Sequence, residues 1–115
     1  MKKKIKLTIG LLVVVLIFAY FLRSSGEVDP DMENFAKYLS EQGISMAGTE
    51  WCPHCKDQKK LFGNSFQYVD YHDCELDKQW CLDHGVKAYP TWVFPDGNYP
   101  GVKSINELKR MSGYD

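Results

Sequence analysis

The sequence predicts a small α/β domain, a four-stranded mixed sheet flanked by helices, behind a single N-terminal transmembrane helix. Three observations carry that expectation. A basic start gives way to an apolar run from Leu7 to Leu22. Helical and strand-like segments alternate through the rest of the chain. Between the first strand and the helix after it stands Trp51-Cys52-Pro53-His54-Cys55. At 115 residues there is room for one small domain and little else.

Charge is unevenly placed. Met1 to Gly26 holds five Lys or Arg and no acid, whereas the rest holds nine against fifteen Asp and Glu, a net −6. An acidic domain with scattered lysines offers no footprint for nucleic acid. The apolar run is broken only by Thr8, Gly10 and Tyr20, and its sixteen residues rise roughly 24 Å as helix. A hydrocarbon core is about 30 Å thick, a difference that snorkelling Lys6 and Arg23 and an interfacial Tyr20 make up. A cleaved signal peptide is the competing reading. Ser24-Ser25-Gly26 is a weak version of its cleavage site, and no cysteine follows the run for lipid attachment. The expected division is a cytoplasmic basic tail at 1–6, a transmembrane anchor at 7–22, a linker at 23–28 and the folded domain at 29–115. The lysines stay in the cytoplasm, so a single-pass protein of the cell membrane would hold its domain outside, where disulfides persist.

The domain's elements follow in order. Asp29-Pro30 reads as an N-cap and a first-turn proline, and Met32, Phe35, Ala36 and Leu39 recur at helical spacing up to Gly43. Ile44 to Ala47 is a short strand ended by Gly48, and Cys55 to Phe62 continues the cysteine motif as a helix ended by Gly63. Phe66 to Tyr71 is expected to be the next strand, and Leu76 to His84 a helix capped by Gly85. Thr91 to Phe94 and a second strand running to about Gly101 flank the turn Pro95-Asp96-Gly97. Ser104 and Glu107 form a capping box for a last helix, with Ile105, Leu108 and Met111 on one face. A strand–helix–strand unit followed by a helix and a hairpin gives the mixed sheet.

Cys52 and Cys55 make a compact dithiol. With Pro53 in the first turn of a helix, where its missing N–H costs nothing, Cys52 stands at that helix's N-terminus. The free N–H groups and positive dipole end there favour a thiolate, the form that attacks disulfides or binds metal. A structural disulfide or half of a zinc site is the plainer alternative. A zinc ribbon wants a second Cys-x-x-Cys, however, and Cys74 and Cys81 are seven apart. No metal site is assigned. His54 is read as functional by position, His72 and His84 as solvated surface residues, and Trp80 and Trp92 as packing residues. Trp51 fits either the rim of a substrate groove or the core.

The series Cys52-x-x-Cys55 after a first strand and Tyr89-Pro90-Thr91 entering a later one resembles the thioredoxin superfamily. More narrowly, the chain is similar to the thioredoxin-like domain that accompanies vitamin K epoxide reductase homologues. The matching features are Trp51 to Cys55, the second pair Cys74 and Cys81, Tyr89-Pro90-Thr91-Trp92, Gly97, Gly101 and Ser112-Gly113-Tyr114, over about Ile44 to Tyr114. The resemblance implies a thioredoxin-like fold, an attacking thiol at Cys52 and a resolving thiol at Cys55. It also implies a cis bond before Pro90, which leaves the Tyr89 backbone to pair with an incoming peptide, with Trp51, Tyr89, Pro90 and Thr91 as substrate-binding residues. An ordinary strand-entry proline is the alternative at Pro90. Cys74 in a loop and Cys81 on a helix would reach each other as a structural disulfide, and a second redox relay pair is the alternative.

The dipeptide Pro53-His54 is the one found in strongly oxidising relatives, where a histidine beside the thiolate stabilises the reduced form. Cytoplasmic thioredoxins carry a buried acid six residues before the first cysteine. Here that position is Met46, with Glu50 nearby, which weakens a reductase reading. The expected activity is thus that of a membrane-anchored thiol–disulfide oxidoreductase, mainly a dithiol oxidase, with exported protein thiols as substrates. It needs no cofactor beyond its own redox-active Cys52–Cys55 disulfide. A separate quinone-linked, vitamin K epoxide reductase-like membrane protein would reoxidise it. The alternatives are an extracytoplasmic reductase, for example in cytochrome maturation, a thiol-based copper or zinc module, and a redox-dead adaptor.

Overall fold

The computed structural model of the chain describes residues 1–23 and 26–115. Ser24 and Ser25, part of the expected linker and of the weak cleavage site, lie outside the described residues. Helix α1 spans Lys2–Arg23, its 22 residues carry a mean hydropathy of 2.6 over their most apolar stretch, and none is buried. It is long and apolar enough to cross a membrane.

The remaining chain forms helix α2 (Pro30–Glu41), strand β1 (Ser45–Gly48), helix α3 (Pro53–Phe62), a 3-10 segment (Gly63–Tyr68) and strand β2 (Asp70–Asp73). Helix α4 (Lys78–Asp83), strands β3 (Thr91–Phe94) and β4 (Gly97–Pro100), and helix α5 (Ile105–Ser112) complete it. The sheet order is β2-β1-β3-β4, with β1 parallel to β2 and antiparallel to β3, and β3 antiparallel to β4. This is the mixed four-stranded sheet of a thioredoxin-like fold. The two central strands are buried at every residue, whereas the edges carry Asp70, His72, Asp73, Asn98 and Pro100. Polar residues and proline at edges satisfy themselves with water and discourage further pairing.

Local chemistry sets the helix ends. The Asp29 carboxylate accepts the Asp31 N–H at 3.0 Å, and Ser104 Oγ accepts the Glu107 N–H at 3.1 Å. Phe35 and Leu39 of α2 and Leu108 of α5 share one core with Met46, Phe62 and Trp92, with the Phe35 and Phe62 rings stacked 6.1 Å apart. Gln58 of α3 is fully buried in that core. Its Oε1 accepts the Trp92 Nε1–H at 3.0 Å and the Lys103 N–H at 2.7 Å, and its Nε2 donates to the Lys103 carbonyl at 2.9 Å. One side chain thereby ties α3 to β3 and to the loop leading into α5.

Two expected elements differ. Only the end of Phe66 to Tyr71 is strand: residues to Tyr68 form the 3-10 segment, and pairing begins at Asp70 and continues to Asp73. The run is rich in strand formers, but the buried or half-buried positions Phe62, Ser65, Phe66 and Val69 repeat at helical spacing, and packing follows that period. Helix α4 begins at Lys78, two residues after Leu76, because the backbone first turns at Asp73, whose carbonyl accepts the Asp77 N–H at 2.7 Å. His84 is exposed as expected, whereas His72 is half-buried and differs from its reading as solvated surface. The Trp80 ring lies between those of His72 and His84, with centroids 3.6 and 4.0 Å away. Asp77 and Asp70 bracket His72 at 2.9 and 3.2 Å.

Replacing Gln58 with Ala leaves the Trp92 indole N–H and the Lys103 amide without their acceptor. We expect a loss of about 2–4 kcal/mol in urea unfolding at an unchanged denaturant slope. A loss below about 0.5 kcal/mol, the range of ordinary surface changes, would show that the network supports nothing.

Candidate dithiol site

Cys52 is the N-cap of α3 and Pro53 its first residue. Proline there pre-sets the helical dihedral and forfeits an N–H that had no partner anyway. The Cys52 Sγ accepts the Cys55 N–H at 3.3 Å, as a serine or aspartate oxygen does at other helix starts, and faces the positive end of the helix dipole. On its other side it donates to the Tyr89 carbonyl at 3.7 Å. Both thiols are free in this structure. Both are buried, Cys52 keeping 5% of its surface and Cys55 none, so Cys52 is the more accessible of the two sulfurs.

Cys55 is buried against β1, and that is possible because residue 48 is glycine. A Cβ on Gly48 would lie 2.7 Å from Cys55 Sγ. Burial pushes the Cys55 thiol well above the ordinary thiol value, and its contact with Cys52 adds to the rise. The Thr49 backbone N–H and the Lys59 charge work in the opposite direction.

The Tyr89–Pro90 peptide bond is cis. Tyr89 is partly exposed and meets the Trp51 ring edge-on, 6.4 Å between centroids. Trp51 is 60% exposed, with its indole N–H on Glu75, so it stands at the rim and outside the core. Pro90 is buried, and its carbonyl accepts the Gly101 N–H at 2.8 Å. Thr91 is buried as well, and its hydroxyl donates to the Ala88 carbonyl at 2.7 Å, bracing the loop from within. His54 is exposed in the first turn of α3, beside Cys52 in sequence.

Cys74 lies in the turn after β2 and Cys81 on α4, and a disulfide joins them with Cα atoms 5.7 Å apart. The Cys74 N–H donates to the Gly48 carbonyl at 2.8 Å, so both cysteine pairs meet the same glycine. Among the described residues no three His, Cys, Asp or Glu side chains gather as metal ligands. Three residues around the dithiol carried no sequence signal for a site. Gly48 read only as a strand end, and Lys59 and Tyr71 fell unremarked inside an expected helix and an expected strand.

Fold and site together define a thioredoxin-like domain presenting a Cys-x-x-Cys dithiol at a helix N-terminus. The chain is 32% identical over 88 residues to the thiol-disulfide oxidoreductase LTO1 of Arabidopsis thaliana. The match takes in 69% of this chain but only 23% of that protein, so the chain spans less than a quarter of the relative's length. No protein-family model matches the chain.

Gly48→Ala forces the β1 backbone or the Cys55 sulfur to move, and we expect a destabilisation of about 1–3 kcal/mol, read as a lowered midpoint in thermal unfolding. The raised Cys55 thiol fixes a pH trend too. A group kept protonated in the fold contributes stability that is intact below its unfolded value, about pH 8.5, and is lost as pH rises toward the folded value. The reduced protein should therefore lose thermal stability above about pH 8.5 more steeply than the Cys52–Cys55 disulfide form. Parallel pH profiles for the two forms would contradict the assignment.

Proposed function

We propose that this chain is a membrane-anchored thiol–disulfide oxidoreductase, with Cys52 and Cys55 as its redox pair and dithiol oxidation as its main direction. The observation that carries the reading is Cys52 at the N-cap of α3, its sulfur on the Cys55 N–H and reachable, with Cys55 enclosed behind it. The similarity to a protein named a thiol-disulfide oxidoreductase supports the chemistry.

In the oxidising cycle a substrate thiolate attacks Cys52 Sγ of the disulfide form. The Cys52–Cys55 bond breaks, its electron pair leaves on Cys55, and Cys55 takes up a proton. A second substrate thiolate then attacks the substrate sulfur of the mixed disulfide. The substrate leaves with a new disulfide, and Cys52 and Cys55 hold the two electrons as thiols. A negative charge on Cys52 meets the Cys55 N–H and the helix dipole. The Trp51–Tyr89 edge and the Tyr89 backbone beside Cys52 are the surface an extended peptide would lie on, with Pro90 and Thr91 supporting it from behind.

Direction rests on Pro53-His54 and on Met46, an apolar residue where a reductase-type thioredoxin carries an acid. The anchoring reading assigns 1–6 to a cytoplasmic tail, 7–22 to the membrane, 23–28 to a linker and 29–115 to an extracytoplasmic domain. Exported protein thiols are the proposed substrates. A quinone-linked membrane protein of the vitamin K epoxide reductase type is the proposed acceptor for the electrons, and Cys74–Cys81 the proposed structural disulfide.

The test is the equilibrium potential of the Cys52–Cys55 pair against glutathione, with Cys74 and Cys81 followed separately. We expect a value toward about −120 mV, and a value near −270 mV would make the protein an electron donor. In the same assay Cys52→Ser should abolish exchange. A variant that still exchanges at the native rate would remove Cys52 from the chemistry.

A further inference from the structure

Opening the Cys52–Cys55 disulfide, or closing it again from a mixed disulfide, places charge on Cys55, the enclosed sulfur, whichever way electrons flow. When Cys52 Sγ is attacked, the bond to Cys55 breaks and Cys55 leaves as a thiolate before it is protonated. In the reverse step Cys55 must lose that proton before it attacks Cys52. Burial opposes this charge, so the groups facing Cys55 decide its cost.

Those groups come from three elements. From α3 the sulfur faces Cys52 and the Lys59 ammonium, from the loop after β1 the Thr49 N–H, and from β2 the Tyr71 side chain. Met46 of β1, the register partner of Tyr71, brings no polar group. Tyr71 reaches the space beside Gly48 that Cys55 Sγ fills: a Cβ there would lie 3.5 Å from its Cε2 and 2.7 Å from the sulfur. The ring is held from the other side by Lys59 Nζ, 4.0 Å above its centroid and 2.9 Å from Glu50 Oε1.

The Tyr71 hydroxyl is buried and closes no hydrogen bond of good geometry in this thiol form, although the Glu50 carboxylate stands close enough to interact with it. Such a vacancy is costly in a folded protein unless another state fills it. Burial, then the charges of Glu50, Asp73 and Cys55 and a hydrogen-bonding interaction with Glu50, raise the Tyr71 pKa, so the phenol keeps its proton and stays a donor when charge appears on Cys55.

We propose that Tyr71 is the positioning residue for the Cys55 thiolate, donating its phenol O–H as exchange charges that sulfur while the Lys59–Glu50 pair fixes the ring. The inference rests on the redox reading of the dithiol and holds for either direction.

The test uses the full chain in detergent micelles, with Tyr71→Phe as the variant and Tyr99→Phe, a hydroxyl deletion on the opposite sheet edge, as its control. Two rates are followed against pH: glutathione exchange with the disulfide form, and iodoacetamide alkylation of Cys52 in the reduced form. The first charges Cys55, whereas the second does not. Tyr71→Phe is expected to slow exchange roughly tenfold, one pH unit's worth of thiolate stabilisation, while the rate and pH midpoint of Cys52 alkylation stay as in the wild type. Lys59→Met, which removes both the support of the ring and a positive charge facing Cys55, should slow exchange in the same direction. Exchange within twofold of wild type in Tyr71→Phe, or a loss matched by an equal change in alkylation or in Tyr99→Phe, would overturn the assignment. A wild-type chain that alkylates normally but does not exchange would overturn the redox reading itself, and this inference with it.

Discussion

The structure turns on the missing side chain at Gly48. It ends β1 at the place where Cys55 Sγ presses against the sheet, and no Cβ fits between them. Its carbonyl holds the Cys74 amide, and its Cα pairs in register with Asp73, so the turn bearing the second cysteine pair starts from the same residue. The burial that distinguishes Cys55 from Cys52 follows from this one contact. Were residue 48 larger, α3 would stand further from the sheet, and the difference in access that orders the two sulfurs would shrink.

Much of the architecture was legible because its signals are local. Asp29-Pro30, Ser104-x-x-Glu107 and the glycines after each helix satisfy backbone groups within a few residues, so the chain announces those ends by composition alone. The dithiol was legible for the same reason, since Cys52 and Pro53 are the cap and first turn of a single helix. What stayed hidden depends on contacts distant in sequence. Gln58 looks like any polar position of an amphipathic helix until Trp92 and Lys103 close around it. Phe66 and Tyr68 have strand propensity, but their neighbours bury a helical face. His72 read as a surface residue because Trp80, the ring stacked on it, comes from another element.

Thr91 and Trp51 show the same limit at the site. Residues adjacent to a motif need not share its role: the Thr91 hydroxyl is spent inside the loop, while Trp51, equally plausible as core, is held at the surface by Glu75. Sequence neighbourhood brought the sulfurs together. The groups facing the buried one, Lys59 and Tyr71, come from one helical turn on and from the neighbouring strand, and no linear spacing marks them.

On the anchored reading, chain geometry also limits which partners the dithiol meets. Five residues separate Arg23 from the Asp29 cap, a reach of at most about 22 Å over six steps of the chain. The Gly26 backbone already lies against the Asn64 side chain, which shortens the free tether further. A domain held so closely samples a thin layer above the bilayer, where a membrane-embedded acceptor meets it at high effective concentration and a soluble one gains nothing. On that reading the net −6 of residues 27–115 adds a second constraint, since it disfavours prolonged contact with anionic headgroups and leaves the Trp51–Tyr89 edge to proteins. On the proposed anchored reading, the short tether favours an electron partner in the membrane over one in solution, whichever way the electrons run.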